Sequence, residues 1–242
     1  MLLRKRVKAA RKRGALWVRV LDVIRLVPAA EGRARLWTRL THSDEVHQTT
    51  PYTEEDRYPE LFEVAATLAP EARRILSFGC STGEELEAIR RRFPRAEIVG
   101  AEINARSRRI AARRSSGDAR TKVVPPKAIE GAFDMIFALA VFQREPHKVN
   151  ETEGQDISSL YPFGRFDEAV TELVRRLEPG GLLCVTNSQY RVEDSSAYRG
   201  LEVVERSPRT EGPFFGRDGR RLRAISGRTI FRKRAALRAD GR

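Results

Sequence analysis

Residues 75–85 read ILSFGCSTGEE, and this stretch sets narrower limits on the fold than any other in the 242-residue chain. Ile75, Leu76 and Phe78 make an apolar run the length of a buried strand. Gly79, Cys80, Ser81, Thr82 and Gly83 then turn the chain through small residues, and residues 84–92 continue at the spacing of an amphipathic helix. A strand, a glycine turn and a helix start, in that order, form the corner at which doubly wound α/β sheets bind nucleotides. Glycine suits such a turn because a residue without Cβ reverses direction cheaply and lets a ligand approach the main chain.

Charge decides which nucleotide the corner suits. A pyrophosphate needs free N–H groups and no competing anion at the helix start. Here Glu84 and Glu85 occupy that first turn, where they complement the helix dipole and repel phosphate. Gly79, Ser81 and Glu84 stand at the three glycine positions of G-x-G-x-x-G, and only the first is glycine. A cationic, phosphate-free adenosine ligand fits better, and S-adenosylmethionine, with its ammonium and sulfonium, is one. A second apolar run over residues 96–101 ends at Glu102, 19 positions beyond Gly83. A carboxylate about 20 residues on, at a strand's carboxyl end, is placed to accept from both ribose hydroxyls.

The rest of the chain is consistent with one α/β domain carrying basic ends. The length supports a substantial core, and 40% apolar content is ordinary for a soluble protein. Two cysteines make no disulfide framework, so Cys80 and Cys184 read as reduced thiols of a cytoplasmic protein. Three histidines and two cysteines show no metal-ligand spacing. The net charge of +13 is uneven: residues 1–40 hold 12 Lys and Arg against Asp22 and Glu31, and residues 217–242 hold 10 against Asp218 and Asp240. Basic ends on a mildly acidic body suit an anionic surface, either nucleic acid or membrane headgroups, and equally suit solubility. Residues 16–27 repeat apolar positions at helical spacing, interrupted by Arg19, Asp22 and Arg25, so they predict an amphipathic helix able to lie on a membrane but not to span it. His42 and His47 fall in a polar stretch over residues 29–58.

Further along, residues 59–68, 104–114 and 165–177 predict helices, and residues 121–124, 131–142, 182–186, 201–205 and 228–233 predict strands. The run GAFDMIFALAVF over 131–142 reads as a central strand covered on both faces. Its carboxyl end, from Ala138 and Leu139 to Phe142, is the edge at which a ligand's reacting end belongs. Near that edge His147 is a candidate general base. Tyr190 follows the next strand and is the second catalytic candidate, while Asp156 and Tyr161 lie in a polar insertion suited to a substrate pocket.

On the GCSTGEE turn, Glu102 and the L-E-P-G-G-L-L run of residues 177–183, the chain resembles class I S-adenosylmethionine-dependent methyltransferases, over about residues 59–188. Its turn is similar to the cofactor loop of chemotaxis-receptor glutamate methyltransferases. The wider family carries acidic-x-Gly-x-Gly-x-Gly; here Ser77 replaces the acid and Ser81 the middle glycine. The resemblance implies a Rossmann-like, doubly wound seven-stranded sheet, mostly parallel with an antiparallel last strand. It implies cofactor contacts at Gly79, Cys80, Ser81, Gly83, Glu84, Glu102, Ile103, Ala138 and Leu139, with Glu84 holding the ammonium. It implies a segment ahead of the first strand that folds over the cofactor, where Tyr52, Arg57 and Tyr58 stand. Pro125 and Pro126 fill the place of the family's adenine-contacting polar residue, with Asp118 as a substitute.

The expected organisation is a basic helix and lid over residues 1–58, a methyltransferase domain over 59–235 and a basic tail over 236–242. The expected function is methyl transfer from S-adenosylmethionine to a small molecule, a lipid or glycan, or a protein carboxylate. The N/D-P-P-Y run of amino-group methyltransferases does not follow the central strand, where the chain reads Gln143-Arg144-Glu145-Pro146-His147. The alternative is a catalytically silent module of the same fold that binds nucleic acid or an anionic membrane through its ends.

Overall fold

A computed structural model of the chain describes residues 57–146, 149, 155–223 and 226–235. The basic helix over 16–27, His42, His47, Tyr52, His147 and the tail over 236–242 lie outside the described residues. Among the described residues, no helix is long and apolar enough to cross a membrane.

Nine strands and four α-helices follow one another in the order α1 (Pro59–Leu68), β1 (Arg74–Phe78), α2 (Glu84–Arg92), β2 (Glu97–Ala101), α3 (Ala105–Arg114), β3 (Thr121–Val124), β4 (Phe133–Leu139), α4 (Phe163–Arg175), β5 (Leu177–Thr186), β6 (Leu201–Val203), β7 (Arg209–Glu211), β8 (Ser226–Arg228) and β9 (Ile230–Lys233) among the described residues. Seven strands form one sheet in the order β3-β2-β1-β4-β5-β9-β6. Strands β1 to β5 pair in parallel, and β9 runs antiparallel to both its neighbours. This is the doubly wound, seven-stranded arrangement expected from the sequence.

Strand alternation builds a separate core on each face of the sheet. In β4, Ile136 and Ala138 join Leu76, Val99 and Leu183 on one face. Met135, Phe137 and Leu139 join Ile75, Ile98 and Leu182 on the other. Helix α4 covers the first face with Phe166, Val170 and Leu173. Helices α1 and α2 cover the second with Leu61, Phe62, Leu86 and Ile89. The central strands are mostly apolar because both of their faces are covered, with Ser77 a buried polar exception in β1.

Local chemistry fixes the helix ends. Pro59 opens α1, where its missing N–H is no loss. Helix α2 carries Glu84, Glu85 and Glu87 in its first turn and Arg90, Arg91 and Arg92 in its last, matching the dipole at both ends. The side chain of Asn104 caps α3 by accepting from the N–H groups of Arg106 and Ser107.

Several boundaries differ from the sequence expectation. Helix α4 starts at Phe163, directly after Pro162, and Leu177 belongs to β5. Strand β4 is shorter than residues 131–142, because Ala140 takes φ +55 and turns the chain out of the sheet. The Pro-Gly-Gly run stays within β5 as a register shift against β4. An unexpected two-stranded ribbon, β7 with β8, sits in the excursion between β6 and β9. Gln189 ties this excursion to the loop after β4: its side-chain amide exchanges two 2.8 Å hydrogen bonds with the backbone of Arg144, and its carbonyl accepts from the N–H of Phe215.

Candidate active site

The carboxyl ends of β1 and β2 meet in a closed set of hydrogen bonds. The N–H groups of Gly79 and Cys80 both donate to the carbonyl of Ala101, at 2.8 and 3.2 Å. The N–H of Ser81 donates to Glu102 Oε2 at 3.0 Å, and Gly83 donates to the carbonyl of Cys80. Four N–H groups of the turn are thus committed within the protein, and the residues opening α2 are carboxylates. Electrostatics and hydrogen bonding both disfavour a pyrophosphate here.

Three residues of the turn take left-handed backbone: Gly79 (φ +84), Ser81 (φ +50) and Gly83 (φ +100). At Gly79 a Cβ would meet Val141 Cγ2 at 2.5 Å, so that glycine is required by space as well as by φ. Ser81 Oγ is buried without a hydrogen-bond partner, a polar atom in the turn that a ligand would satisfy.

Glu102 is 8% exposed and held at both oxygens, with the Asn104 N–H on Oε1 at 2.6 Å and the Ser81 N–H on Oε2 at 3.0 Å. Each oxygen keeps a second lone pair for a ribose hydroxyl. Burial raises its carboxyl above the usual range, and these two N–H groups oppose the rise.

The two glutamates that open α2 divide into different roles. Glu84 accepts from Thr82 Oγ1 at 2.7 and 2.8 Å and pairs with the Arg114 guanidinium at 3.0 Å. The Glu84 carboxylate thus already holds a cation and a hydroxyl. Glu85 instead turns toward β1, where Ser77 Oγ donates to its Oε1 at 2.7 Å. Glu85 is half-buried at the start of α2. Burial pushes its carboxyl up to about 7, against the Ser77 hydrogen bond and the Arg57 charge. The sequence reading named Glu85 with Glu84 as the carboxylate pair opening the helix but not its contact with Ser77, although a serine inside a buried strand signals a polar partner.

The other expected positions sort by location. Ala138 and Leu139 are buried at the end of β4, and Ile103 is half-buried beside Glu102. The Cys80 side chain is buried under β2, in contact with Gly100, and burial pushes its thiol well up, so only its backbone borders the turn. Asp118 accepts from Thr121 Oγ1, Arg90 Nε and the Arg120 N–H.

Tyr190 is fully buried in an aromatic cluster with Tyr161, Phe163 and Phe166, and its hydroxyl donates to the carbonyl of Tyr161. A phenol so placed packs in the core, with its proton held by a backbone carbonyl. Tyr161 is likewise buried in the core, while Asp156 is exposed and its backbone forms an isolated antiparallel β-bridge with that of Arg220. Among the described residues no cluster of three His, Cys, Asp or Glu side chains would hold a metal.

The sequence before α1 reaches the same edge. Tyr58 Oη accepts from Asn187 Nδ2 at 2.8 Å, joining the start of α1 to the residue after β5. The Arg57 guanidinium lies over the Tyr58 ring, 4.7 Å from its centroid. Burial raises the phenol's pKa and the Glu85 carboxylate adds to the rise, against the Arg57 charge and the hydrogen bonds from Arg57 and Asn187.

Residues 76–185 match a family described as a methyltransferase domain. Trans-aconitate 2-methyltransferase of Rhodopseudomonas palustris (strain BisB18) is 27% identical over 146 residues, which are 58% of this chain and 48% of that protein. The chain thus spans about half the length of the curated relative it matches. Among solved structures, the N-methyltransferase NodS from Bradyrhizobium japonicum WM9 in complex with S-adenosyl-l-homocysteine is 16% identical, with a TM-score of 0.47 over 74% of this chain and 86% of that one. TehB from Haemophilus influenzae is 12% identical, with a TM-score of 0.47 over 72% of this chain and 61% of that one.

Proposed function

Residues 76–185 being a class I S-adenosylmethionine-dependent methyltransferase domain, we propose that the protein methylates a small-molecule acceptor that presents a carboxylate. The observation that carries the cofactor half of this reading is the arrangement of Glu102 and Ser81, a buried carboxylate gripping the turn while a buried hydroxyl beside it lacks a partner. When bound, S-adenosylmethionine supplies a methyl made electrophilic by its sulfonium.

The chain's own residues have matching tasks. Glu102 accepts from the ribose hydroxyls, Ser81 Oγ takes a polar contact in the turn, and Glu85 faces the cationic methionine end. Ala138 and Leu139 wall the end of β4 with apolar surface, which keeps water from the reacting edge. Methyl transfer depends chiefly on alignment, and a proton acceptor is needed only when the nucleophile is protonated. A carboxylate is already ionised at neutral pH. That suits a site in which the Tyr190 phenol is committed to the core. The relative named for trans-aconitate supports an acid as acceptor.

The test has two stages. Isothermal titration with S-adenosylhomocysteine should give saturable heat below about 1 mM, the upper end of ordinary enzyme affinities. Labelled methyl transfer to small organic acids, trans-aconitate first, should give a base-labile ester. No heat in the first stage sinks the cofactor assignment. Binding without transfer to any acid sinks the acceptor assignment alone.

A further inference from the structure

We propose that Gln189 is a positioning residue for methyl transfer: its side chain fixes the segment that leaves β4, at the edge where the reacting methyl belongs. The inference rests on the methyl-transfer reading above and goes beyond it, since that reading gives Gln189 no task.

Strand β4 ends at Leu139, and Ala140 turns the chain out of the sheet with φ +55. A ligand bound beyond the carboxyl ends of the strands lies against what comes next. This segment also borders the cofactor turn, since Val141 Cγ2 stands 2.5 Å from where a Cβ on Gly79 would be. Its first part is held by β5 and the core. The Ala140 N–H donates to the Thr186 carbonyl at 2.9 Å, and the Phe142 ring packs on Phe78 and Phe166. Beyond Phe142 the burial falls, and residues 143–146 are each half-buried. Where apolar burial ends, hydrogen bonds set the path of the chain.

Gln189 supplies them from the stretch after β5. Its Oε1 accepts from the Arg144 N–H and its Nε2 donates to the Arg144 carbonyl, both at 2.8 Å. Its own N–H donates to the Phe142 carbonyl at 2.9 Å, and its carbonyl accepts from the Phe215 N–H at 2.9 Å. Paired bonds to both backbone groups of one residue fix its orientation as well as its place. Gln189 is only 4% exposed, and an apolar side chain would fill that space without the cost of burying an amide. What the amide adds is a single defined path for the segment, which a fully matched buried polar group specifies.

The ratio of two affinities reads this edge, because S-adenosylmethionine and S-adenosylhomocysteine differ only in the sulfonium methyl and its charge. Gln189→Met keeps the length of the side chain and removes both of its bonds. Gln189→Glu keeps the acceptor for the Arg144 N–H and loses the donor to the carbonyl. Ser195→Ala is the control for lost stability, since it breaks buried bonds to Asp167 and to the Ala197 N–H and none to the segment. Calorimetry on the full chain titrates each variant with both ligands, and hydrogen exchange follows the Arg144 amide.

Gln189→Met speeds exchange at the Arg144 amide and weakens S-adenosylmethionine about fourfold relative to S-adenosylhomocysteine, the worth of one buried methyl contact. Gln189→Glu falls between that and wild type, and it carries the test alone if Gln189→Met does not fold. Ser195→Ala leaves the ratio as it is in wild type. Unchanged exchange overturns the proposal, and so does faster exchange with an unchanged ratio, which makes Gln189 a structural residue only. An equal shift of the ratio in Ser195→Ala overturns it too. Wild-type protein that binds neither ligand contradicts the methyltransferase reading instead.

Discussion

The hydroxyl of Ser77 and the carboxylate of Glu85 meet at 2.7 Å over the end of β1, so a helix residue brings to this strand the negative charge that its own sequence lacks. The pairing makes cofactor affinity depend on pH. Glu85 titrates near 7, and an ammonium ligand favours its ionised form. S-adenosylhomocysteine should therefore bind more tightly as pH rises from 5.5, by up to about tenfold per unit, and level off above 7. Stability of the ligand-free protein should move the other way. The folded state holds this proton more tightly than the ordinary value of 4.5 allows, so the stability it contributes below 4.5 is lost as pH rises to about 7. Titrations at several pH values and thermal melts read the two slopes, and Glu85→Gln should flatten both.

Glu84→Gln separates the neighbouring carboxylates. Its partners are Arg114 and Thr82, and its side chain is 13% exposed. The substitution should cost about 1 kcal/mol of stability or less and leave S-adenosylhomocysteine affinity within about twofold. A loss comparable to that of Glu85→Gln in the same titration would return the ammonium to Glu84.

Glu102 joins binding to loop order, because both oxygens hold backbone N–H groups. Glu102→Ala should weaken S-adenosylhomocysteine by more than tenfold and also leave the Ser81 and Asn104 N–H groups unmatched. Glu102→Gln keeps one carbonyl oxygen, so it should recover part of the stability but little of the affinity. Calorimetry and chemical denaturation on the two variants separate these effects.

The division between what the sequence shows and what it hides follows from the range of each interaction. Strands β1, β2, β4 and β5 are buried on both faces, so their apolar runs announce them. The turn from Gly79 to Gly83 announces itself through residues the backbone requires. Glu84 and Glu85 are adjacent, and sequence spacing to the turn treats them alike. Helical periodicity does distinguish them, since Glu85 stands four residues before the buried Ile89. Their different partners, Ser77 on the strand for Glu85 and Arg114 on the next helix for Glu84, lie far off in sequence. The β7 and β8 segments, RTE and SGR, carry no apolar alternation and left no signal. The joint between Tyr58 and Asn187 spans 129 positions, and no local pattern foretells it.

Tyr190→Phe tests whether this phenol packs the core or takes part in methyl transfer. Tyr190→Phe keeps the ring packing but removes the only proton directed at the Tyr161 carbonyl in this bond. The loss should be about 1–2 kcal/mol of stability, seen as a lower denaturation midpoint. S-adenosylhomocysteine affinity should stay unchanged, and so should any methyl transfer once an acceptor is found. A variant with native stability and no transfer would restore Tyr190 to the active site.

Gly79 gives the sharpest link between backbone and function. Its φ of +84 is costly for a residue with a Cβ, and that Cβ would stand 2.5 Å from Val141 Cγ2. Val141 follows Ala140, whose left-handed turn ends β4, so pushing it disturbs the edge where the methyl is expected. Gly79→Ala should therefore lower stability by about 2 kcal/mol or more and weaken S-adenosylhomocysteine together with it. Gly117→Ala, in open space beyond α3, serves as the matched control, because nothing lies within 4 Å of the added Cβ. If thermal melts and titrations find the two variants alike, the turn tolerates movement and the steric argument for Gly79 fails.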